Sequence, residues 1–305
     1  MPKAVITGGT GFIGSALSRS LSEDGWDVVC FTRNVEGAKK RLDSRIRPVS
    51  WDGRNGGEWE KELENAEAVI NLAGSSIGKH KWTDSVRERI VSSRLHAGKA
   101  VAAAVRKATN GPKAVIQASA IGYYAHRADH TLTEDSPGGE GFLSSVCREW
   151  EDSSRMGEDS GVRRVVIRTG LVLGDGGLLD RMVTPMRFFI GGPLGSGRQW
   201  MSWIHLQDEV AAIRFLMDSN LEGVFNLVSP QPVRNKDFCR ALGKAMRRPC
   251  WFPVPAPLLK LLFGRMAEET ILSSQRVLPQ RLLAEGFRFR FSQVDEALGN
   301  IFSGK

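Results

Sequence analysis

Eight residues near the start of the chain, Thr7-Gly8-Gly9-Thr10-Gly11-Phe12-Ile13-Gly14, limit its fold more than any other feature. They follow an apolar β-branched run, Ala4-Val5-Ile6, and lead into a segment with helical spacing of apolar residues. A glycine loop between a strand and a helix is a phosphate cradle: Gly8 permits the tight turn, Gly11 lets a pyrophosphate approach the backbone, and Gly14 lets helix and strand pack closely. The first amides of the helix then point at the anion with a partial positive charge. Gly8, Thr10, Gly11, Phe12, Ile13 and Gly14 are therefore expected to bind the phosphates of a dinucleotide.

The pattern downstream agrees. Short apolar runs at 3–7, 27–32, 46–50, 67–72, 113–119 and 163–169 alternate with helical stretches near 12–24, 57–64, 83–108 and 142–160. Each intervening stretch is long enough for the crossover that parallel strands require. The expected fold is α/β, a Rossmann-type doubly wound parallel sheet over residues 1–170. After Arg168 the chain changes to Gly-rich loops, a helix near 207–218 and a Pro-rich stretch. Residues 171–305 are read as a smaller substrate or cap region, its apolar positions (Phe238, Leu242, Ala245, Met246; Leu258, Leu261, Leu262) turned onto the first domain.

Cofactor choice is decided at the end of the second strand, where a carboxylate would bind the 2′-OH of NAD. Here that strand ends in Thr32-Arg33-Asn34, and a guanidinium suits a 2′-phosphate. NADP is therefore expected rather than NAD. The fourth strand ends in Asn71-Leu72-Ala73-Gly74, small enough to pass close to the adenine and its ribose, while Asp52 either reaches the adenine edge or caps a turn.

The composition excludes other classes. The net charge of +8 comes from scattered arginines rather than a basic stripe with interleaved aromatics, so no nucleic-acid partner is expected. No run approaches the ~20 apolar residues of a membrane span, and no membrane partner is expected. Cys30, Cys147, Cys239 and Cys250 lie far apart, which argues for four buried thiols rather than a metal cage or disulfides. Met1-Pro2-Lys3 leads directly into the first strand, so a cytoplasmic protein is expected, with an organellar one after transit-peptide removal left open.

The glycine loop, Asn71-Leu72-Ala73-Gly74 and Arg168-Thr169-Gly170-Leu171-Val172-Leu173-Gly174 together resemble extended short-chain dehydrogenases/reductases of the epimerase/dehydratase superfamily. Trp82, Ser92-Ser93-Arg94, Gly122-Tyr123-Tyr124, Trp150-Glu151, Gly191-Gly192-Pro193-Leu194-Gly195 and Trp203-Ile204-His205 with Asp208 narrow the resemblance to an atypical subgroup of epimerase family proteins, the 39U family. It covers essentially the whole chain, including a C-terminal domain of unknown function at about 250–300. The resemblance implies cofactor contacts at the glycine loop, Thr32, Arg33, Asn71, Leu72, Ser93 and Leu171.

One signature of that superfamily is missing. Its members carry Tyr-x-x-x-Lys on one helix face, the lysine lowering the phenol's pKa for proton transfer. The corresponding helix, Phe142 to Glu151, has neither residue; the chain's only tyrosines are Tyr123 and Tyr124, and no lysine lies between Lys113 and Lys236. Ser119, Tyr123, Tyr124 and His205 remain as candidates for the catalytic role, with Tyr123 and Arg127 as a relocated imitation of the pair. His205 reads better as a structural histidine, paired with Asp208, and Asp208 as a helix cap. Trp200, Trp203, Trp251 and Phe252 form either an apolar wall over the cofactor or part of the core, and Arg198 is a candidate contact for an anionic substrate. Three functions stay open: an NADP(H)-dependent oxidoreductase, a non-catalytic NADP sensor, and a nucleotide-sugar epimerase. Neither the small-molecule substrate nor the oligomeric state is legible.

Overall fold

The computed structural model describes residues 1–78, 81–157 and 160–303. The first half of the chain runs β1 (Lys3–Thr7), α1 (Phe12–Glu23), β2 (Asp27–Thr32), α2 (Val35–Lys39), β3 (Arg47–Ser50), β4 (Ala68–Asn71) and α3 (Asp84–Lys107). It continues through β5 (Ala114–Ala120), β6 (Thr131–Leu132), α4 (Phe142–Ser153) and β7 (Arg163–Thr169). The second half holds β8 (Leu171–Leu173), α5 (Leu179–Arg187), β9 (Trp200–Met201), β10 (Trp203–His205), α6 (Leu206–Asp218) and β11 (Gly223–Leu227). Last come β12 (Val233–Arg234), α7 (Asn235–Met246), α8 (Ala256–Phe263), β13 (Arg276–Val277), α9 (Gln280–Ala284) and α10 (Val294–Phe302).

Seven strands form one parallel sheet in the order β11-β7-β5-β4-β1-β2-β3. The chain winds outward from β1 through β2 to β3, then returns to β4 and winds the other way. The order therefore reverses between β1 and β4, and a crevice opens there at the carboxyl ends of the strands. Strand residues alternate between two apolar layers because successive side chains point to opposite faces. Ala4, Ile6, Ile116 and Ile167 pack with Leu17 of α1 and Ile213 of α6, whereas Val5, Val69 and Val115 pack with Ala97 and Val101 of α3. Full burial of such a side chain stabilises by about 1.5–3 kcal/mol, so both faces need their helices.

The expected Rossmann architecture is present, with two differences. The stretch near 57–64, expected as a helix, makes a short 3-10 helix, Glu58–Leu63, anchored by buried Trp59 and Leu63. The seventh strand, β11, was not foreseen: Gly223–Leu227 lies in the stretch assigned to the second region, yet it pairs with Val165–Thr169 and completes the main sheet. The remaining short strands form three two-stranded ladders, β8–β10, β9–β12 and β6–β13.

A second apolar core joins α5, α7 and α10 around Trp203, with Phe238 and Leu242 fully buried in it. The expectation that α8 also turns Leu258, Leu261 and Leu262 inward is overturned, for these three are exposed and Leu259 is the leucine it buries. The four thiols are free, with Cys250 only half-buried.

Candidate functional site

The glycine loop sits at the mouth of the crevice, and each glycine has its own reason. Gly8 has φ +68°, and a Cβ there would lie 2.8 Å from the Leu72 carbonyl oxygen. A Cβ on Gly14 would lie 2.4 Å from the Gly8 carbonyl oxygen, so α1 starts directly against the turn. Gly11 differs: the sole protein atom near its would-be Cβ is the Gly8 oxygen, at 3.1 Å, and the residue is exposed. Crowding at Gly11 is therefore milder than at Gly8 or Gly14, and its backbone lies open to the surface. Gly11 is the N-cap of α1 and supplies no side-chain cap, leaving the first-turn amides facing the crevice. Phe12 closes the loop from the side, its ring against Gly174, Gly176 and Gly177.

Register carries the end of β2 to the same level, since Thr7 pairs with Phe31. Thr32 turns its hydroxyl onto the Asn34 amide, and Asn34 caps α2 by accepting from the Gly37 amide at 2.8 Å. Between these engaged residues Arg33 is exposed and makes no hydrogen bond or ion pair among the described residues. Asp52 caps a turn: it accepts from the Arg54 and Asn55 amides at 2.8 and 2.9 Å, which hold its carboxyl below the ordinary range.

The end of β4 divides into support and surface. Asn71 is fully buried. Its amide donates to Gln117 Oε1 at 2.8 Å and its oxygen accepts from the Thr7 hydroxyl at 2.6 Å; that hydroxyl in turn accepts from the Ala73 amide at 3.1 Å. Asn71 therefore shapes the crevice from behind, and its expected cofactor contact is corrected to a positioning role. Leu72, Ala73 and Gly74 are the residues of this stretch that reach the surface. Ser93 accepts from the Ser75 amide at 3.0 Å, and Arg94 donates to the Ser75 carbonyl at 3.1 Å while stacking 4.7 Å from the Trp150 ring. Leu171, half-buried, spends its amide on the Ser202 carbonyl at 2.9 Å.

Beside the carboxyl end of β5 lies a buried ion pair. Arg168 on β7 meets Glu151 on α4 in two hydrogen bonds of 2.9 Å, and Ser119 on β5 donates to the same carboxylate at 2.6 Å. Arg168 also donates to the Tyr124 hydroxyl at 3.1 Å, lies 3.4 Å from the Tyr123 ring centroid, and is itself buried. Burial opposes its charge, but Glu151 and Tyr124 more than offset this and raise the guanidinium above its ordinary range. Tyr124 donates to Asn226 at 2.8 Å and is fully buried, and burial pushes its phenol up to about 12. Ser119 and Tyr124 are thereby committed to the network, and the Tyr123–Arg127 imitation does not form, because Arg127 donates to backbone carbonyls of Tyr124, Pro137 and Gly138.

The face of α4 toward the end of β5 explains why no Tyr–Lys pair can be replaced in kind. Leu143 and Cys147 lie against Gly122, and Glu151 binds Ser119, which makes an i, i+4, i+8 stripe. Burial lifts the Cys147 thiol to about 11, so this stripe offers a leucine and a neutral thiol. Of two further i, i+4 polar pairs, Ser144 and Arg148 are turned to the Gly139 carbonyl, which both side chains bind at 2.7 Å, and the Ser145 hydroxyl donates to Glu149 at 3.3 Å on the exposed side.

His205 is likewise structural. It caps α6 through Nδ1, which accepts from the Gln207 amide at 3.1 Å, and its ring lies 4.1 Å from that of Phe291. Burial, with Arg290 nearby, lowers it to about 4. Its expected partner Asp208 instead accepts the Arg290 and Phe291 amides at 2.8 and 2.9 Å. The next residue, Glu209, is fully buried, accepts from the Thr169 hydroxyl at 2.8 Å, and is raised by burial to about 8. Of the four aromatics, Trp203 is core, Trp200 is clasped between Arg234 and Arg276, and Trp251 and Phe252 are exposed.

Sequence reasoning missed Gln117, Glu209 and Asn226 as polar groups behind the site. Arg168 and Glu151 stood in the quoted motifs, but nothing in the spacing signalled their pairing.

Comparison with known proteins accords with this geometry. Residues 4–227 match the NAD dependent epimerase/dehydratase family, and residues 254–301 match a domain of unknown function, DUF1731. The epimerase family protein YfhF of Bacillus subtilis is 37% identical over 302 residues, covering 98% of each chain. Human epimerase family protein SDR39U1 is 34% identical over 304 residues, covering 98% of this chain and 99% of its own. A crystal structure of human SDR39U1 (isoform 2) with NADPH superposes with a TM-score of 0.90 at 33% identity, over 99% of this chain and 100% of that one. Glycine loop, strand order and relatives agree that the chain belongs to the NAD dependent epimerase/dehydratase family.

Proposed function

We propose that the chain binds NADP(H) at the carboxyl ends of β1, β2 and β4 and works as an NADP(H)-linked oxidoreductase that lacks the Tyr–Lys proton relay. The observation that carries the reading is the pairing of an uncapped helix start at Gly11 with Arg33, exposed and unengaged at the end of the neighbouring strand. The NADPH held by human SDR39U1 supports the same cofactor here. The α1 amides and the loop hold the pyrophosphate, Arg33 the 2′-phosphate, and Leu72 to Gly74 border the adenosine half. When bound, the nicotinamide supplies a hydride. The chain's own part is to orient and enclose, with Asn71 and Thr7 fixing the crevice wall.

A second reading, a sensor whose NADP(H) occupancy alters a partner contact, is favoured by one observation. Ser119 and Tyr124 are consumed by the Arg168–Glu151 pair, and the adjoining helix face is apolar. The test is calorimetric titration with NADPH followed by a screen of carbonyl compounds that reads NADPH oxidation. Turnover above the protein-free control supports the oxidoreductase, and tight binding with no turnover across the screen overturns it in favour of the sensor.

A further inference from the structure

Two segments of the second half of the chain expose large apolar side chains. Phe188, Trp251, Phe252 and Leu261 are 72%, 69%, 63% and 76% exposed, and Phe189 and Ile190 also lie open. Two chain segments are tied into one surface here: Trp251 Nε1 donates to the Phe189 carbonyl at 3.3 Å, and the Phe252 amide to the Gly191 carbonyl at 3.2 Å. Three residues beyond, α8 leaves Leu258, Leu261 and Leu262 exposed, an i, i+3, i+4 row, while Leu259 is buried. Soluble chains seldom leave so many large apolar groups open side by side, and such a patch marks a contact surface.

Charge selects the occupant. Residues 238–267 contain Arg240, Lys244, Arg247, Arg248, Lys260 and Arg265 and no carboxylate, and residues 181–207 contain Arg181, Arg187 and Arg198 and again none. Arg240, Lys244 and Lys260 pair with Asp237, Asp295 and Glu268 from outside those runs, at 3.1, 3.8 and 2.8 Å, which leaves Arg247, Arg248 and Arg265 to carry the positive charge of this stretch. The Arg248 guanidinium lies 4.9 Å from the Phe189 ring centroid, within the patch. A two-fold contact with a second copy would set this cationic surface against itself. A bilayer of anionic lipid complements both properties, because aromatic rings and leucines enter the acyl boundary while Arg and Lys meet the headgroups.

We propose that the surface formed by Phe188–Ile190, Trp251–Phe252 and the exposed leucines of α8 seats the protein on an anionic membrane surface. No helix among the described residues is long and apolar enough to cross a membrane, so the contact proposed is with the bilayer surface. The proposal is independent of the cofactor reading.

The test is cosedimentation of the full chain with vesicles of phosphatidylcholine alone and of phosphatidylcholine mixed with phosphatidylglycerol. The mixed vesicles should bind the protein, with affinity about tenfold higher than neutral ones and falling as salt is raised. A Trp251→Glu/Phe252→Glu variant and an Arg247→Glu/Arg248→Glu variant should each lose about tenfold or more. Both alter exposed side chains, and an unchanged melting temperature shows that they fold. Equal binding to neutral and anionic vesicles, no binding to either, or unchanged binding by both folded variants would overturn the proposal. So would wild-type self-association that the Trp251→Glu/Phe252→Glu variant abolishes, since that assigns the surface to a second copy.

Discussion

Arg168 and Glu151 form a two-pronged ion pair, 2.9 Å at each contact, buried beneath the carboxyl end of β5. The pair engages the hydroxyls of both Ser119 and Tyr124.

Removing one partner leaves the other charge buried and alone, which typically costs about 3–5 kcal/mol. Glu151→Leu and Arg168→Met should each destabilise on that scale in urea unfolding, whereas the double variant should recover much of the loss. If the two single losses simply add in the double variant, the pair does not act as a unit.

Gly11 and Gly14 of the loop should respond differently to alanine. Gly14→Ala drives a Cβ to 2.4 Å from the Gly8 carbonyl oxygen and should cost about 1–3 kcal/mol of stability. Gly11→Ala meets that oxygen at 3.1 Å, so its stability should change by less than about 1 kcal/mol while NADPH binding weakens about tenfold or more. Thermal melts and titrations of both variants check this, and full NADPH affinity in Gly11→Ala would contradict the role given to that glycine.

Stability should vary with pH through two buried groups of opposite sign. Glu209 is raised by burial from 4.5 to about 8, so the folded state holds its proton more tightly; this contribution is full below about 4.5 and is lost as pH rises to about 8. His205 is lowered by burial from 6.5 to about 4, so its contribution is full above about 6.5 and is lost as pH falls through 4. The two slopes oppose each other between about 4.5 and 6.5, and from there to about 8 the Glu209 loss remains, at up to about 1.4 kcal/mol per pH unit. Urea unfolding of Glu209→Gln should show a flatter profile over that upper range, and an unchanged slope would refute the assignment.

The sequence made the sheet legible wherever strands were unbroken β-branched runs bounded by helices, as in Val28-Val29-Cys30-Phe31. It concealed β11 because Asn226 interrupts a five-residue run, and burial of that amide is satisfied by Tyr124 and the Leu278 carbonyl, 102 and 52 positions away along the chain and so invisible to local pattern. The tight turn at Gly8 and the close start of α1 at Gly14 were legible because glycine acts there through local backbone geometry. The acid–base end was not, since whether Ser119, Tyr124 and His205 face a ligand or a buried partner is decided by tertiary contacts. In α8 the helical period was right, but the exposed leucines are turned away from the core.

The central claim is that Arg33 and the glycine loop select NADP(H), and the most direct measurement is calorimetric titration of the wild type and Arg33→Ala with NADPH and NADH. A charge-assisted contact is worth about 1.5–3 kcal/mol, which is roughly 10- to 100-fold in affinity. The wild type should prefer NADPH, and Arg33→Ala should lose NADPH affinity on that scale while its NADH affinity barely moves. Equal losses for the two nucleotides, or a wild type that binds NADH more tightly, would contradict the account.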